Sequence, residues 1–314
     1  MRIGIIGPGA LGCLFASRLF SVVNEQDTVL LIDHRPERAR LLNRQGILYE
    51  SQHNRQNFSV PVYSDLTQIG PLDVLFSCVK SYDLLHSLKF AHPLLNPSTL
   101  FIFLQNGINH LQYGEPEKLQ ATPVFATSSE GATRLNTGHI RHAGSGHTHL
   151  GFLSTQSAKA EKKLQQLLLF LQKSGLASSI TNDILAKLWT KLFVNIGING
   201  LTAIHNRSNG ELLESPATVK QMTQLVHEAE QVARAAHITI HDDPLQTTLT
   251  VCKRTANNIS SMLQDVRNHC PTEINTINGA ISRIGKELGI PTPKNDELIA
   301  KIKNIEATYL NQEK

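Results

Sequence analysis

The sequence predicts an α/β fold in two parts: a doubly wound, mostly parallel sheet in the N-terminal half, then an all-helical C-terminal domain. Three observations predict it. Short apolar strands alternate with helical patterns through the first half. A glycine-rich turn stands between the first strand and the first helix. Beyond the stretch KSGLASSITND the pattern is helical almost throughout. At 314 residues the chain is also longer than one ordinary core fills.

The predicted strands are 2–6, 28–32, 73–79, 99–104 and 122–127, with helices near 10–20, 36–45 and 81–95. Residues 137–152 read as a hairpin turning at Gly144-Ser145-Gly146, and a helix of about eighteen residues starts near 156. Gly175 ends that helix, and Asn182 or Asp183 can cap the next. The domains are therefore expected at 1–180 and 181–314.

Composition narrows the function classes. With 40% hydrophobic and 18% charged residues, the chain is globular rather than disordered. The net charge of +4 is mild, and Lys and Arg are spread out, so no nucleic-acid partner is expected. The four cysteines show no C-x-x-C spacing and read as reduced thiols of a cytoplasmic protein. The apolar N-terminus has three glycines and a proline in its first twelve residues, which argues against a signal peptide. No window has eighteen unbroken apolar residues, so no membrane partner is expected. Monomer and homodimer both stay open.

IGIIGPGALG sets Gly7, Gly9 and Gly12 in G-x-G-x-x-G spacing between a strand and a helix. Gly7 permits the tight turn, Gly9 lets backbone approach a pyrophosphate, and Gly12 lets the helix pack close. At the start of a strand–helix–strand unit this is a Rossmann dinucleotide-binding fingerprint, with Pro8, Ala10 and Leu11 completing the cofactor loop. The second strand ends LLIDHRPERAR. Asp33 favours NAD, whereas Arg35 and Arg38 favour NADP. Lys80 and Asn106-Gly107 follow predicted strand ends, where open parallel sheets bind ligands; a solvated loop lysine and an ordinary Asn-Gly turn are the plainer alternatives. His139, His142, His147 and His149 match no common zinc spacing, so no metal is expected. Strand alternation puts His147 and His149 on one face, and His139 and His142 on opposite faces.

KLWTKLFVNIGINGLTAI reads as a core helix carrying Lys191, Asn195 and Asn199 at intervals of four. Such residues share one stripe and are costly in an apolar helix unless something polar meets them. Gly197 and Gly200 suit a close approach of another surface. Asn258 and Ser261 would share a helix face ahead of Glu273, and Asn209 is most simply a turn residue.

Together these segments resemble ketopantoate reductase, the 2-dehydropantoate 2-reductase family of pantothenate biosynthesis. The resemblance spans nearly the whole chain. It rests on GPGALG, VKSYD, QNG, the stretch from Gly131 to Gly151, the Lys191 helix with NGE after it, and ISSMLQDVR followed by TEINTINGAI. It implies a Rossmann domain, a helical domain like that of 6-phosphogluconate dehydrogenase, and reduction of the 2-oxo acid ketopantoate by NADPH. The family's catalytic lysine matches Lys191, and its substrate-binding asparagines match Asn195, Asn199 and Asn209. Its substrate-binding serine matches Ser261, with Asn258 alongside. Its glutamate matches Glu273, which could serve the substrate's terminal hydroxyl or the cofactor's nicotinamide end. Lys80, Asn106 and Ala132 match cofactor-side positions, Asn106 serving the substrate as well. Asp33 departs from the NADPH pattern. A reductase of the same fold acting on another 2-oxo acid is the alternative reading.

Overall fold

The computed structural model describes residues 1–310. Two compact units divide it: Met1–Gln105 with His110–Ile184, and Asn106–Asn109 with Leu185–Lys314. The segment Asn106–Asn109 thus leaves a strand of the first unit and packs with the second, an assignment that no local pattern foretells.

The first unit opens β1 (Arg2–Ile6), α1 (Ala10–Phe20), β2 (Thr28–Ile32), α2 (Pro36–Gln45). It continues through β3 (Ile47–Glu50), β4 (Arg55–Phe58), β5 (Val62–Tyr63), β6 (Val74–Ser77), α3 (Leu84–Ala91) and β7 (Leu100–Phe103). Then come α4 (Pro116–Leu119), β8 (Thr122–Ser128), β9 (Gly131–Asn136), β10 (His139–Gly144), β11 (Thr148–Gly151), α5 (Ala158–Lys173) and β12 (Ser178–Ile180). The large sheet has the order β12-β11-β8-β7-β6-β1-β2-β5. From β8 to β5 all neighbours are parallel, and β11 is antiparallel to β8. Its central strands are apolar on both faces because helices cover both. That is the Rossmann sheet.

The hairpin expectation needs correction. The turn lies at Thr137-Gly138, with Gly138 at φ 73°, and joins β9 to β10. These strands pair with β3 and β4 in a second sheet, order β4-β3-β10-β9, set against α1. Residues 148–151 instead return to the large sheet beside β8. The Gly-Ser-Gly stretch therefore connects two sheets instead of turning a hairpin.

The second unit consists of α6 (Ile184–His205), α7 (Pro216–Ala235), α8 (Pro244–Arg254), α9 (Ser261–Arg267), α10 (Asn278–Leu288) and α11 (Pro293–Leu310). Among the described residues no helix is long and apolar enough to cross a membrane. In α6 the glycines serve helix packing. A Cβ on Gly197 would meet Thr248, Val226 and Met222, and one on Gly200 would meet Leu298.

The glycine turn of β1–α1 is built unevenly. Gly7 has φ 93°, and a Cβ on Gly12 would fall 2.1 Å from the Gly7 carbonyl oxygen. Around Gly9 a Cβ would meet nothing within 4 Å. Gly12→Ala should therefore cost about 1–3 kcal/mol by overpacking. Gly9→Ala should leave the melting temperature near wild type. Thermal unfolding of both variants checks this, and equal melting temperatures would contradict it.

Candidate active site

The first unit presents one functional edge. β1, β2, β6, β7 and β8 are parallel, so the residues that follow them lie at one carboxyl-end edge, where open sheets bind ligands. Gly7 follows β1, Asp33 follows β2, Lys80 comes three residues after β6, and Gln105 two after β7. The amide of Gly9 donates to the Gly7 carbonyl at 2.7 Å, which curls the turn under the start of α1. No side chain caps α1 and no acid lies in its first turn. The leading amides, on Ala10, Leu11 and Gly12, are thus left for an anion, and the open space at Gly9 lets one come close. Pro8 is buried behind the turn.

At the end of β2 the Asp33 carboxylate is fully buried. It accepts from the Nε of Arg38 and, at 3.2 Å, from the backbone amide of Arg35. Asp33 is therefore occupied by this chain's own cations. The Arg35 guanidinium is half exposed, with Nε 3.7 Å from Asp33.

Lys80 begins the one-turn helix Ser81–Asp83, in extended conformation and part-exposed. Gln105 had no sequence signal beyond its place in QNG. Its side-chain nitrogen donates to the Ser77 carbonyl at 2.9 Å, the Ser77 hydroxyl at 2.7 Å and the Val79 carbonyl at 3.3 Å. It thereby ties the ends of β6 and β7 together. Ala132 lies in β9, opposite His142.

The histidines are engaged by protein groups. His139 reaches Glu50 at 3.2 Å, and His142 reaches Glu130 at 2.6 Å and the Tyr49 hydroxyl at 2.9 Å. His147 and His149 both bond the Ser179 hydroxyl.

The second unit carries the polar stripe. On α6 the neighbours Trp189, Leu192, Phe193, Ile196 and Ile198 are buried, while Lys191 and Asn195 keep partial exposure and Asn199 is 6% exposed. Neither side-chain amide has a hydrogen-bond partner among the described residues. Burial of the Lys191 ammonium pulls its pKa down to about 8, against the opposing pull of Glu273.

Glu273 accepts from the Asn106 amide at 2.9 Å. Asn106 is brought there by Gly107, whose φ of 78° and close approach to the Thr276 carbonyl leave no room for a side chain. The next residue back from Glu273 is held too: the Thr272 amide and hydroxyl both donate to Glu306 at 2.7 Å, and Lys303 bonds the other Glu306 oxygen. Glu306, thirty-four residues away, gave no sequence signal. Lys191, Asn106 and Glu273 thus form one constellation.

Two predicted binding residues sit differently from expectation, while Asn209 lies in a turn as expected. Asn258 and Ser261 share no helix face, because α8 ends at Arg254 and α9 begins at Ser261. Asn258 is exposed and accepts from the Asn209 amide through its carbonyl. Ser260 rather than Ser261 caps α9, its hydroxyl also bonding Thr202 at 2.6 Å. The local polarity that suggests one continuous helix belongs to two caps, Thr255 ending α8 and Ser260 starting α9. Asn209 is buried, with its side-chain nitrogen donating to the Thr255 hydroxyl at 2.8 Å and its Oδ1 unpartnered.

Models of the family described as ketopantoate reductase PanE/ApbA match residues 3–155, and its C-terminal part matches residues 183–306. The chain is 31% identical over 312 residues to a 2-dehydropantoate 2-reductase of Vibrio cholerae serotype O1, covering 98% of this chain and 99% of that one. A PanE/ApbA family ketopantoate reductase from Ralstonia eutropha JMP134 superposes with a TM-score of 0.87 at 26% identity, covering 98% and 99% of the two chains. D-mandelate dehydrogenase, solved with NADH and anilino(oxo)acetate, superposes with a TM-score of 0.88 at 27% identity over the same shares. The fold, the glycine turn and the lysine helix accordingly sit in one recognisable lineage: the chain belongs to the ketopantoate reductase family of oxidoreductases.

Proposed function

We propose that this protein is a cytoplasmic 2-dehydropantoate 2-reductase that reduces ketopantoate to pantoate with NADPH. The observation that carries the reading is the stripe of Lys191, Asn195 and Asn199 with Glu273 close enough to shift the lysine's ionisation. A dinucleotide fits the first unit because α1 starts uncapped over a turn with open space at Gly9. Gly7 through Gly12 would hold the pyrophosphate by backbone amides. Lys80, Asn106, Ala132 and Glu273 would serve the cofactor's remaining length. Arg35 and Arg38 would take a 2′-phosphate, and the pairing of Asp33 with Arg38 supports NADPH by removing the acid that a ribose diol would need.

The cofactor supplies a hydride to the C2 carbonyl of the bound acid. This chain's part is electrostatic. Lys191 would face the carbonyl oxygen as it gains negative charge, then donate its proton to that atom. Asn195 and Asn199, whose side chains have no partner among the described residues, would bond the substrate's polar groups. Ser261 would take its carboxylate, with Asn209 and Asn258 supporting the same pocket wall. Asn106 would orient Glu273 through this hydrogen bond.

The D-mandelate dehydrogenase likeness favours a second reading, reduction of a bulkier 2-oxo acid with NADH. Rates with ketopantoate, 2-oxoisovalerate and phenylglyoxylate, each with NADPH and NADH, separate the two. Ketopantoate with NADPH should give the highest kcat/KM. A higher value for phenylglyoxylate with NADH would replace the proposal.

Lys191→Ala should lower kcat by about 10²–10⁴-fold, the usual contribution of general acid catalysis. Its affinity for NADPH should change little, because the glycine turn belongs to the other unit. Steady-state kinetics with an NADPH titration measures both, and a folded variant with near-normal kcat would exclude the assigned role.

The lysine must carry its proton to act as an acid. Its pKa is lowered from 10.5 to about 8, so kcat/KM should be level below that pH and fall above it. Glu273 holds the pKa up against burial. Glu273→Gln should therefore move the alkaline limb to lower pH. A pH–rate profile reads the shift, and a limb displaced upward would contradict the assignment.

A further inference from the structure

The chain passes from the large sheet to the small one through Ser129 and Glu130, between the end of β8 at Ser128 and the start of β9 at Gly131. This link is tightly built. The Ser129 amide donates to the His147 carbonyl at 3.0 Å, the Glu130 amide to the Ser128 hydroxyl at 3.3 Å, and a Cβ on Gly146 would sit 2.2 Å from Ser129. Within it the Glu130 side chain is only 2% exposed.

A carboxylate buried so far is costly unless it is hydrogen-bonded. Glu130 finds such a partner in His142. Its Oε2 is 2.6 Å from His142 Nε2, and His142 Nδ1 is 2.9 Å from the Tyr49 hydroxyl. One tautomer satisfies every group: Nε2–H donates to the carboxylate, and Nδ1 accepts from the tyrosine. Behind them the Arg18 guanidinium of α1 stands 6.0 Å from the centre of the Tyr49 ring.

Apolar side chains of similar volume would stabilise the sheet as well or better. What a fully bonded polar chain adds is direction: it fixes where its backbone lies. The backbone so fixed is Gly131–Ala132. Ala132 pairs with His142 across the ladder, and Gly131 pairs with Gly144 beyond a bulge at Ala143. This backbone leaves β8 at the same carboxyl-end edge as the glycine turn. In the order β8-β7-β6-β1-β2, it lies on the opposite side of β1 from Asp33 and Arg38. A dinucleotide with its adenosine end at β2 and its pyrophosphate at β1 runs towards β8 with its nicotinamide end.

We propose that Glu130 and His142, backed by Tyr49, are positioning residues for the nicotinamide end of the cofactor, holding the Gly131–Ala132 backbone against which that end binds. The inference rests on the proposed function only in taking a nicotinamide dinucleotide as ligand.

The test compares two ligands on the full chain by calorimetric titration: NADPH, and 2′-phospho-ADP-ribose, which lacks the nicotinamide. His142→Phe breaks both hydrogen bonds at similar size and should weaken NADPH by about tenfold, the effect of lost buried hydrogen bonds. Affinity for 2′-phospho-ADP-ribose should stay at the wild-type value. Because His142→Phe strands a buried carboxylate and can unfold, Glu130→Gln is measured beside it. That isosteric variant keeps an acceptor for Nε2–H and should weaken NADPH by about threefold, again sparing the fragment. Loss of affinity for both ligands alike would reduce the network to a structural one and overturn the inference. So would unchanged NADPH binding in a folded variant. Wild-type protein that binds no nicotinamide dinucleotide would overturn the proposed function as well.

Discussion

The polar stripe of the helical unit depends on one constraint: an ammonium drawn partly out of water. Burial pulls Lys191 down to about 8, and Glu273 pulls it back. Without that counter-charge the lysine's pKa would fall further, whereas in open water it would hold its proton more tightly. Glu273 can do this only if its own position is set. Asn106 bonds one of its oxygens, and Glu306 clamps the residue before it through two hydrogen bonds. Gly107 answers the same need, since only a left-handed turn without a side chain fits against the Thr276 carbonyl beside Asn106.

The Rossmann unit solves a different electrostatic problem, that of receiving an anion. It does so with backbone. An uncapped helix start, an empty space at Gly9 and a helix packed hard on the Gly7 carbonyl leave amides facing outward at no cost in side-chain desolvation. Side chains act instead at the ends of the edge. The Asp33–Arg38 pair stands beyond β2, and the Glu130–His142–Tyr49 chain stands beyond β8. Both bury a carboxylate, and both give it a cation or an imidazole from the same unit. An acid that would otherwise read as a ribose ligand becomes an anchor for an arginine.

The elements with strong local periodicity were legible residue by residue. Strands 2–6 and 28–32 and helices 10–20 and 36–45 have the bounds that the pattern predicts. The lysine stripe was visible because three polar residues at intervals of four interrupt an apolar helix. The small sheet was not legible. Its strands β3 and β4 have only four residues each, and β10 finds its partner β3 some ninety residues back, pairing His139 with Leu48. Nothing within a local window specifies such a register. The same limit explains Asn258 and Ser261, where polar residues that looked like a helix face are the gap between two helices.

The sequence by itself determined the main strand–helix alternation of the first unit, the glycine turn, the apolar face of the lysine helix and the presence of Lys191, Asn195, Asn199 and Glu273. These follow from spacing, and spacing is local. Only the tertiary structure decided which polar groups meet. It gave Asn106–Asn109 to the helical unit, put Asn106 on Glu273, and spent Asp33 on Arg38. It also joined Glu130 to His142 across two strands. The physical reason is that a buried charge is tolerable only with a partner within hydrogen-bond reach, and that partner can come from anywhere along the chain.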